Sequence, residues 1–287
     1  MLDAAKIVIT LLKLRIGVAI AASALAGLAI TRGDTPTAGA IAALGLAVLG
    51  ASGAAGAFNH YHERVCDRRM ARTASRPFAS GQLKEGPIWP VTFAALLAAS
   101  VGLAWAAAGT VSALYVFLGA VTYGLIYTVW LKPRTSSNIV VGGLAGSFAV
   151  LAGAAAVDPQ PQWASSILAV VLFLWTPPHF WSLAAAKADD YSAAGIPMLP
   201  VIAPEREWTL TILIYTATLV ALSLTPLWFG MGWIYGLFAG AGGGWFLWKS
   251  WSLYRAPSRR AAMANFLASL VQLLLLVAGI FLTALIG

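Results

Sequence analysis

Residues 88–131 read IWPVTFAALLAASVGLAWAAAGTVSALYVFLGAVTYGLIYTVWL, and no Asp, Glu, Lys or Arg occurs among them. An α-helix needs about 20 apolar residues to cross the roughly 30 Å hydrocarbon core of a bilayer. The run is therefore long enough for two crossings, which we predict at 88–108 and 111–131. Because helices satisfy all their backbone groups within lipid, this stretch predicts an all-α membrane protein.

The composition of the whole chain supports the same class. Of its 287 residues, 60% are apolar and 10% are charged, and the mean hydropathy is +0.82. A secreted, fibrous or disordered protein is excluded, because no long polar segment remains. The single cysteine, Cys66, allows neither an internal disulfide nor a cysteine-rich metal site.

Seven further apolar runs bring the predicted transmembrane helices to nine, with the others at 10–31, 37–58, 139–157, 162–186, 208–229, 231–251 and 262–286. Nine helices of about 21 residues use most of the chain and leave no room for a folded soluble domain. We therefore predict a single integral-membrane domain over residues 1–287, folded as a polytopic all-α bundle.

Basic residues are distributed unevenly over the predicted loops. With the N-terminus in the cytoplasm, 17 of the 18 Lys and Arg residues fall in cytoplasmic segments and Arg32 falls outside. Because cytoplasmic loops are enriched in Lys and Arg, this asymmetry predicts a cytoplasmic N-terminus. The net charge of +8 then reflects topology and attraction to anionic lipid, and nucleic-acid binding is not expected. We expect the first helix to be retained, in the plasma (inner) membrane of a prokaryote.

The first polar loop follows predicted helix 2 and reads NHYHERVCD at residues 59–67. If the helix continues, Asn59, Glu63 and Asp67 recur every four residues and share one face. An amide and two carboxylates are oxygen ligands of the kind that Mg²⁺ prefers. The alternative is a solvated helix end with local ion pairs.

Several cations on the same predicted membrane side could bind a phosphate group. Arginine forks bind phosphate oxygens in pairs. Candidates are Arg64, Arg68 and Arg72, which form a stripe beside the acidic face, and Lys132 and Arg134 in the loop between helices 4 and 5. Positive-inside anchoring explains the charges of that loop equally well.

A second polar loop follows predicted helix 6, with Lys187, Asp189, Asp190 and Tyr191 ahead of the segment GIPMLP at residues 195–200. It falls four spans after the first loop, on the same predicted side. This spacing suggests two halves of four helices each, with a ninth helix appended. A second carboxylate cluster opposite the first would let two Mg²⁺ ions grip one diphosphate.

Predicted helix 6 contains the segment WTPPHFW at residues 175–181. Pro177 and Pro178 remove backbone donors and predict a kink. Trp175 and its neighbouring rings could stabilise a carbocation, although aromatic packing is the simpler explanation. His179 is a candidate ligand or acid–base group, or a satisfied polar group within the bundle.

These motifs resemble the UbiA superfamily of intramembrane prenyltransferases. Within it, the segments that carry the closest resemblance are those of the protoheme IX farnesyltransferase (haem O synthase) family: MART at 70–73 with Arg76-Pro77, WTPPHFW at 175–181, Asp190-Tyr191 and GIPMLP at 195–200. Position 63 is Glu where Asp is commoner in the family. The family's Lys-Pro-Arg appears here as Lys13-Leu14-Arg15, and the doubled acid at 189–190 leaves open which Asp is the metal ligand.

The resemblance implies a UbiA-type helical bundle around a central cavity, and transfer of a farnesyl group from farnesyl diphosphate to a vinyl group of haem B, with addition of water. It implies that Mg²⁺ is bound by Asn59, Glu63, Asp67 and one of Asp189 and Asp190. Tyr191 would lie at the reaction site. The basic residues that would assist at the diphosphate are Lys13, Arg15, Arg64, Arg68, Arg72, Lys132, Arg134 and Lys187.

On the same resemblance, Trp175 and His179 would contact the haem, and a haem A synthase or terminal oxidase assembly would be a further partner. A prenyltransferase for a quinone precursor is the alternative enzyme. A secondary transporter is the alternative of another class, although transporter acids more often lie near mid-membrane.

Overall fold

The computed structural model describes residues 2–286, and the side chains of residues 5–286. Over that range the chain is helical and contains no β-strand. The α-helices are α1 (Leu2–Leu11), α2 (Leu14–Ile30), α3 (Ala38–His62), α4 (Arg64–Asp67), α5 (Ile88–Val121), α6 (Asn138–Gly142), α7 (Leu144–Ala155), α8 (Trp163–Ala186), α9 (Ala188–Ala193), α10 (Leu199–Ile202), α11 (Glu205–Leu224), α12 (Trp233–Arg255) and α13 (Arg259–Ile286). A π-helical segment (Thr122–Leu131) continues α5, and a 3₁₀ turn (Thr225–Phe229) follows α11.

The all-α membrane class is confirmed, whereas the count of nine spans is not. Among residues 2–286, six helices are long and apolar enough to cross a bilayer, or seven if α1 and α2 form one bent span. One of the six, Ile88–Leu131, has 44 residues, about 66 Å at 1.5 Å per residue. Gly109 breaks it with φ of 79°, between the two predicted spans. Helix α12 covers the predicted span at 231–251 but is not among the six.

The first predicted span, 10–31, is wrong in its first turn. Residues 5–11 and 14–30 form two helices that meet at 53°, and Lys13 between them has φ of 50°. The break lies against α3, where a Cβ at Gly56 would be 3.3 Å from Lys13 Cδ. The bend therefore turns the Lys13 side chain into the protein, and its left-handed backbone is a strain of the kind found at functional sites.

Helix α2 packs against five helices, α1, α3, α7, α8 and α13. Its closest approach is to α7, where small residues let the two backbones touch. A Cβ at Gly153 would overlap the carbonyl oxygen of Ala24, and one at Gly27 would overlap that of Val150. Small residues at such crossings permit the close packing that associates helices within lipid.

Helix α8 runs from Trp163 to Ala186 through both of its prolines, so the helix predicted at 162–186 forms and is not interrupted. Pro177 cannot donate to the carbonyl of Phe173, four residues earlier. The carbonyl oxygen of Phe173 lies against Gly143, between α6 and α7, because a Cβ at Gly143 would be 3.1 Å from it.

Two groups of polar contacts lie at opposite ends of the long helices. One end joins Lys13 to Asn59 and Lys132 to Glu63. At the other end, Gln162 exchanges hydrogen bonds with the backbone of Arg32, and Arg32 donates to the carbonyl of Phe229. The structure thus separates Arg32 from the basic residues that sequence analysis assigned to the opposite membrane side.

Candidate active site

Three oxygen-bearing side chains lie on one face at the end of α3 and just beyond it. They belong to Asn59, Glu63 and Asp67, and each accepts hydrogen bonds from a basic side chain. Lys13 Nζ lies 2.6 Å from Asn59 Oδ1, and Lys132 Nζ lies 2.5 and 2.7 Å from the two carboxylate oxygens of Glu63. Arg76 donates to both oxygens of Asp67, at 2.9 and 2.8 Å. We call these six residues the inner cluster.

The backbone keeps the predicted spacing even though α3 ends at His62. Glu63 N donates to Asn59 O at 2.9 Å, and Asp67 N donates to Glu63 O at 2.7 Å. The helical hydrogen-bond pattern therefore continues through the loop and holds the three oxygen-bearing side chains on one line. Their partners come from distant segments, so the predicted local ion pairs of a solvated helix end do not describe this site.

The inner cluster is buried, with Asn59 2%, Glu63 7% and Asp67 0% exposed. Burial favours neutral Glu63, but the charge and hydrogen bonds of Lys132 outweigh it and hold the pKa of Glu63 below its ordinary value. Burial would likewise lower the pKa of Lys132, yet Glu63 raises it. Both groups are thus charged at neutral pH, and the carboxylates of Glu63 and Asp67 face the basic side chains of Lys132 and Arg76.

The π-helical segment Thr122–Leu131 supplies part of the inner cluster's surroundings. Tyr123 OH accepts from Lys13 Nζ at 2.9 Å, and Thr128 Oγ1 accepts from Asn59 Nδ2 at 3.0 Å. The rings of Tyr123 and Tyr127 stack with centroids 5.6 Å apart. Sequence analysis missed Tyr123 and Thr128, because the wider helical turn changes which residues share a face and leaves no mark in an apolar run.

Arg76 was also missed as a site residue, although it stands in the Arg76-Pro77 pair that sequence analysis quoted. The turns between residues 68 and 80 bring it back to Asp67, nine positions earlier. The signal that could have identified Arg76 is its position, because it is a basic residue within a family motif that sequence analysis quoted.

The second polar loop meets the first directly. Asp190 Oδ1 accepts from the backbone N–H of Ala71 at 3.0 Å, and Arg72 donates to Tyr191 OH at 3.4 Å. Cys66 Sγ lies 3.6 Å from the carbonyl oxygen of Ala194, which adds a third contact between the loops. Asp190 therefore faces the first loop.

Asp189 and Lys187 of the second loop point outward. Asp189 is paired with Arg259 at 2.7 Å and its side chain is 77% exposed. Lys187 is also exposed. Of the two adjacent acids, Asp190 is the one directed at the first loop.

Five predicted phosphate-binding arginines lie outside the inner cluster, and the contact of Arg72 with Tyr191 is described above. Arg64 pairs with Glu85 at 2.5 Å, and Arg68 donates to the carbonyl of Ala79 at 3.0 Å. Arg134 donates to backbone carbonyls at the end of the π-helical segment, and Arg15 is exposed. Arg64, Arg68 and Arg72 each bind a different partner, and their role at a phosphate group stays a prediction.

The aromatic segment of α8 packs against α13. Trp175 Nε1 donates to the carbonyl of Ser269 at 2.9 Å, and His179 Nδ1 lies 2.7 Å from Ser269 Oγ. His179 is stacked on Trp175, with ring centroids 4.1 Å apart, and lies 4.6 Å from the ring of Phe266. This histidine is a buried, hydrogen-bonded group within an aromatic cluster.

The arrangement is that of a diphosphate-handling membrane enzyme, and comparison with known proteins agrees. The chain belongs to the UbiA prenyltransferase family, whose family model matches residues 20–284. Protoheme IX farnesyltransferase 2 of Paramagnetospirillum magneticum is 56% identical over 282 residues, 98% of this chain and 98% of that relative. Protoheme IX farnesyltransferase of Paenarthrobacter aurescens is 41% identical over 235 residues, 79% of this chain and 72% of that relative.

A solved structure has the same fold. A UbiA homolog from Archaeoglobus fulgidus bound to GPP and Mg²⁺ matches with a TM-score of 0.73, over 98% of this chain and 100% of that chain, at 14% identity. The likeness confirms the all-α UbiA fold class.

The family implies Mg²⁺, and the donor set fits this ion. Within residues 2–286, no three His, Cys, Asp or Glu side chains come together as a metal-binding group. Asn59, Glu63 and Asp67 nevertheless supply buried amide and carboxylate oxygens, the chemistry that a hard cation requires. Lys13, Lys132 and Arg76 are the counter-charges of these oxygens, so Mg²⁺ would compete with the three cations.

Proposed function

We propose that this protein transfers a farnesyl group from farnesyl diphosphate to a vinyl group of haem B, with addition of water, to give haem O and diphosphate. The observation that carries the proposal is the meeting of two polar loops beside a cluster that pairs three buried oxygen-bearing side chains with Lys13, Arg76 and Lys132. The relatives named protoheme IX farnesyltransferase support the choice of substrates.

The inner cluster suits the diphosphate head. Lys13, Lys132 and Arg76 are partly buried basic side chains that can exchange their bonds to Asn59, Glu63 and Asp67 for bonds to phosphate oxygens. The oxygens released by this exchange are those that would hold Mg²⁺, with Asp190 as a candidate from the second loop. When bound, Mg²⁺ would stabilise the negative charge of the departing diphosphate.

Aromatic rings support the transfer of the prenyl group. Tyr123 and Tyr127 stack beside the inner cluster, and their ring faces can stabilise a positive charge on the allylic carbon. As the carbon–oxygen bond to diphosphate breaks, the vinyl group of haem B attacks that carbon. Water then adds to the porphyrin-side cation and loses a proton, which leaves the hydroxyl group of the product. Burial of the cluster keeps bulk water from the reacting carbon before the new bond forms.

Trp175 and His179 are our proposed contacts for haem B. The two rings form a stacked aromatic pair, and the imidazole is positioned by Ser269. Tyr191 and Arg72 lie at the junction of the two loops and are proposed to help position the substrates, with Arg64, Arg68, Arg134, Arg15 and Lys187 contributing positive charge around that end.

The proposed orientation puts the inner cluster and both polar loops at the cytoplasmic face of a prokaryotic plasma membrane. The one-sided distribution of Lys and Arg supports it. The amphipathic donor then enters from the bilayer with its charged head at the aqueous surface. Passing of the product to a haem A synthase or terminal oxidase assembly, and the division into two four-helix halves with a ninth helix, are further parts of the proposal.

The test uses purified protein in detergent with Mg²⁺, haem B and farnesyl diphosphate, and mass spectrometry of the haem product. We expect a hydroxyethylfarnesyl haem from the wild type and none from Asp67→Asn, whose folding is checked by thermal unfolding. Turnover of a quinone precursor without any haem product would contradict the proposal and favour the alternative acceptor.

A further inference from the structure

A second basic pocket lies at the end of the α12–α13 hairpin, outside the inner cluster. Its volume is about 260 Å³, and it is lined by Lys249, Ser252, Ser258, Arg260, Ala261 and Ala264. The lining is entirely basic, hydroxyl-bearing or alanine. The pocket therefore carries two positive charges and two hydroxyl groups, which suits a phosphate group.

The backbone adds to this preference. Ser258 Oγ accepts from the N–H of Ala261 at 3.1 Å and caps the start of α13. The first N–H groups of a helix and its dipole favour a negative charge at that end. The two side-chain cations and the start of the 28-residue α13 thus act on the same small volume.

An exposed apolar track continues from this pocket along both helices, and we call the pocket and the track together the groove. On α13, positions 260 and 264 lie on one face with the exposed Leu267, Val271 and Leu274, because the spacing is three or four residues. On α12, Ser252 lies on one face with the exposed Trp245 and Trp248. Lys249 Nζ lies over both of these rings, 4.7 and 4.2 Å from their centroids.

We infer that this groove binds one anionic phospholipid, with its phosphodiester in the pocket and an acyl chain along the track. The combination of a polar pocket at one end and an apolar track beyond it matches an amphiphile rather than a free anion. Trp side chains and snorkelling cations are characteristic of the membrane interface, where such headgroups lie. The single negative charge of phosphatidylglycerol suits the two cations of the pocket.

The groove also adjoins the second polar loop. Arg259, next to Arg260, pairs with Asp189, and Asp190 contacts the first loop. A bound lipid would therefore hold the start of α13 beside the loop junction.

The test measures the Tm of the purified protein in a neutral detergent with phosphatidylglycerol, phosphatidylcholine, inorganic phosphate or farnesyl diphosphate added. We expect phosphatidylglycerol to raise the Tm of the wild type, and phosphatidylcholine and phosphate to leave it unchanged. Lys249→Gln/Arg260→Gln should lose the rise. The matched control Lys84→Gln/Arg206→Gln, which removes one lysine and one arginine that are exposed outside the α12–α13 hairpin, should keep it.

Ala264→Leu fills the pocket without altering its charge and should also lose the rise, which keeps the test decisive if the charge variant does not fold. Three results would overturn the inference. The rise could persist in the folded groove variants, inorganic phosphate could reproduce it, or the groove variants could lose a shift caused by farnesyl diphosphate, which would assign the groove to the prenyl donor.

Discussion

At the scale of single residues, the inner cluster is a set of matched charges rather than a row of free ligands. Asn59 pairs with Lys13, which lies in the turn before α2. Asp67 pairs with Arg76, and Glu63 pairs with Lys132. Removal of one partner from a buried pair leaves the other charge uncompensated, which is costly. The cations that we propose to bind the diphosphate are thus also needed for the stability of the free protein.

Arg76→Gln is expected to destabilise the protein by about 3–5 kcal/mol, because Asp67 is fully buried and loses both of its hydrogen bonds. Product formation should fall about 10²-fold or more. Thermal unfolding and haem product yield measure the two effects. Arg69→Gln removes an exposed arginine and serves as the control. The double variant Arg76→Gln/Asp67→Asn should regain stability but not activity, and recovery of both would contradict a role of Arg76 at the diphosphate.

Tyr123→Phe removes the hydroxyl group that accepts a hydrogen bond from Lys13. Hydrogen bonds to charged groups are worth roughly 1.5–3 kcal/mol, so the KM for farnesyl diphosphate should rise about tenfold or more. Tyr115→Phe on the same helix, whose ring stacks on Phe148, is the control. Equal KM values for the two variants would show that Tyr123 does not position Lys13.

The residues that could be predicted from the sequence are those related by local geometry. Asn59, Glu63 and Asp67 follow from the helical repeat, since the register of one segment fixes which of its side chains align. Lys13–Asn59 and Lys132–Glu63 join residues 46 and 69 positions apart, and only tertiary packing decides such pairs. The fold class follows from apolar run lengths, because the bilayer imposes the length of a crossing.

At the scale of helices, departures from regular structure position the site. The break before α2 directs Lys13 inward, and the π-helical segment after α5 presents Tyr123 and Thr128 to the same cluster. Neither feature could be predicted from an apolar run, because hydrophobicity is insensitive to a change of helical turn. The prolines of α8, in contrast, are obvious in the sequence but leave the helix intact.

The crossing of α2 and α7 gives a prediction at this scale. Gly153→Ala should destabilise the protein by about 3 kcal/mol or more, because the new Cβ would overlap the carbonyl oxygen of Ala24. Gly102→Ala in α5 meets nothing within 4 Å and should instead stabilise by up to about 1 kcal/mol. Thermal unfolding in detergent compares the two. A neutral Gly153→Ala would show that α2 and α7 can separate without cost.

At the scale of the whole molecule, the two ends of the bundle differ in the polar contacts that they carry. One end carries the inner cluster and the polar loops, and the other carries the contacts of Arg32 with Gln162 and Phe229. This separation is a property of the fold, whereas its orientation in the membrane is our proposal.

Cysteine labelling tests the orientation. In a Cys66→Ser background, Thr35→Cys places an exposed thiol at the Arg32 end and Ser192→Cys places one in the second polar loop. A membrane-impermeant maleimide added to intact cells should label position 35 and not position 192, and cell lysis should expose both. The reverse pattern would refute a cytoplasmic active site.

Cys66 lies where the two polar loops touch, and it is the single thiol of the chain. Burial raises the pKa of this thiol, so alkylation should be slow at neutral pH and accelerate as the pH rises. A dye attached to Cys66 would lie between the two loops. The unmodified sequence therefore already contains a reporter site. Loss of Cys66 alkylation on addition of prenyl diphosphate would show in real time that the two loops close on each other.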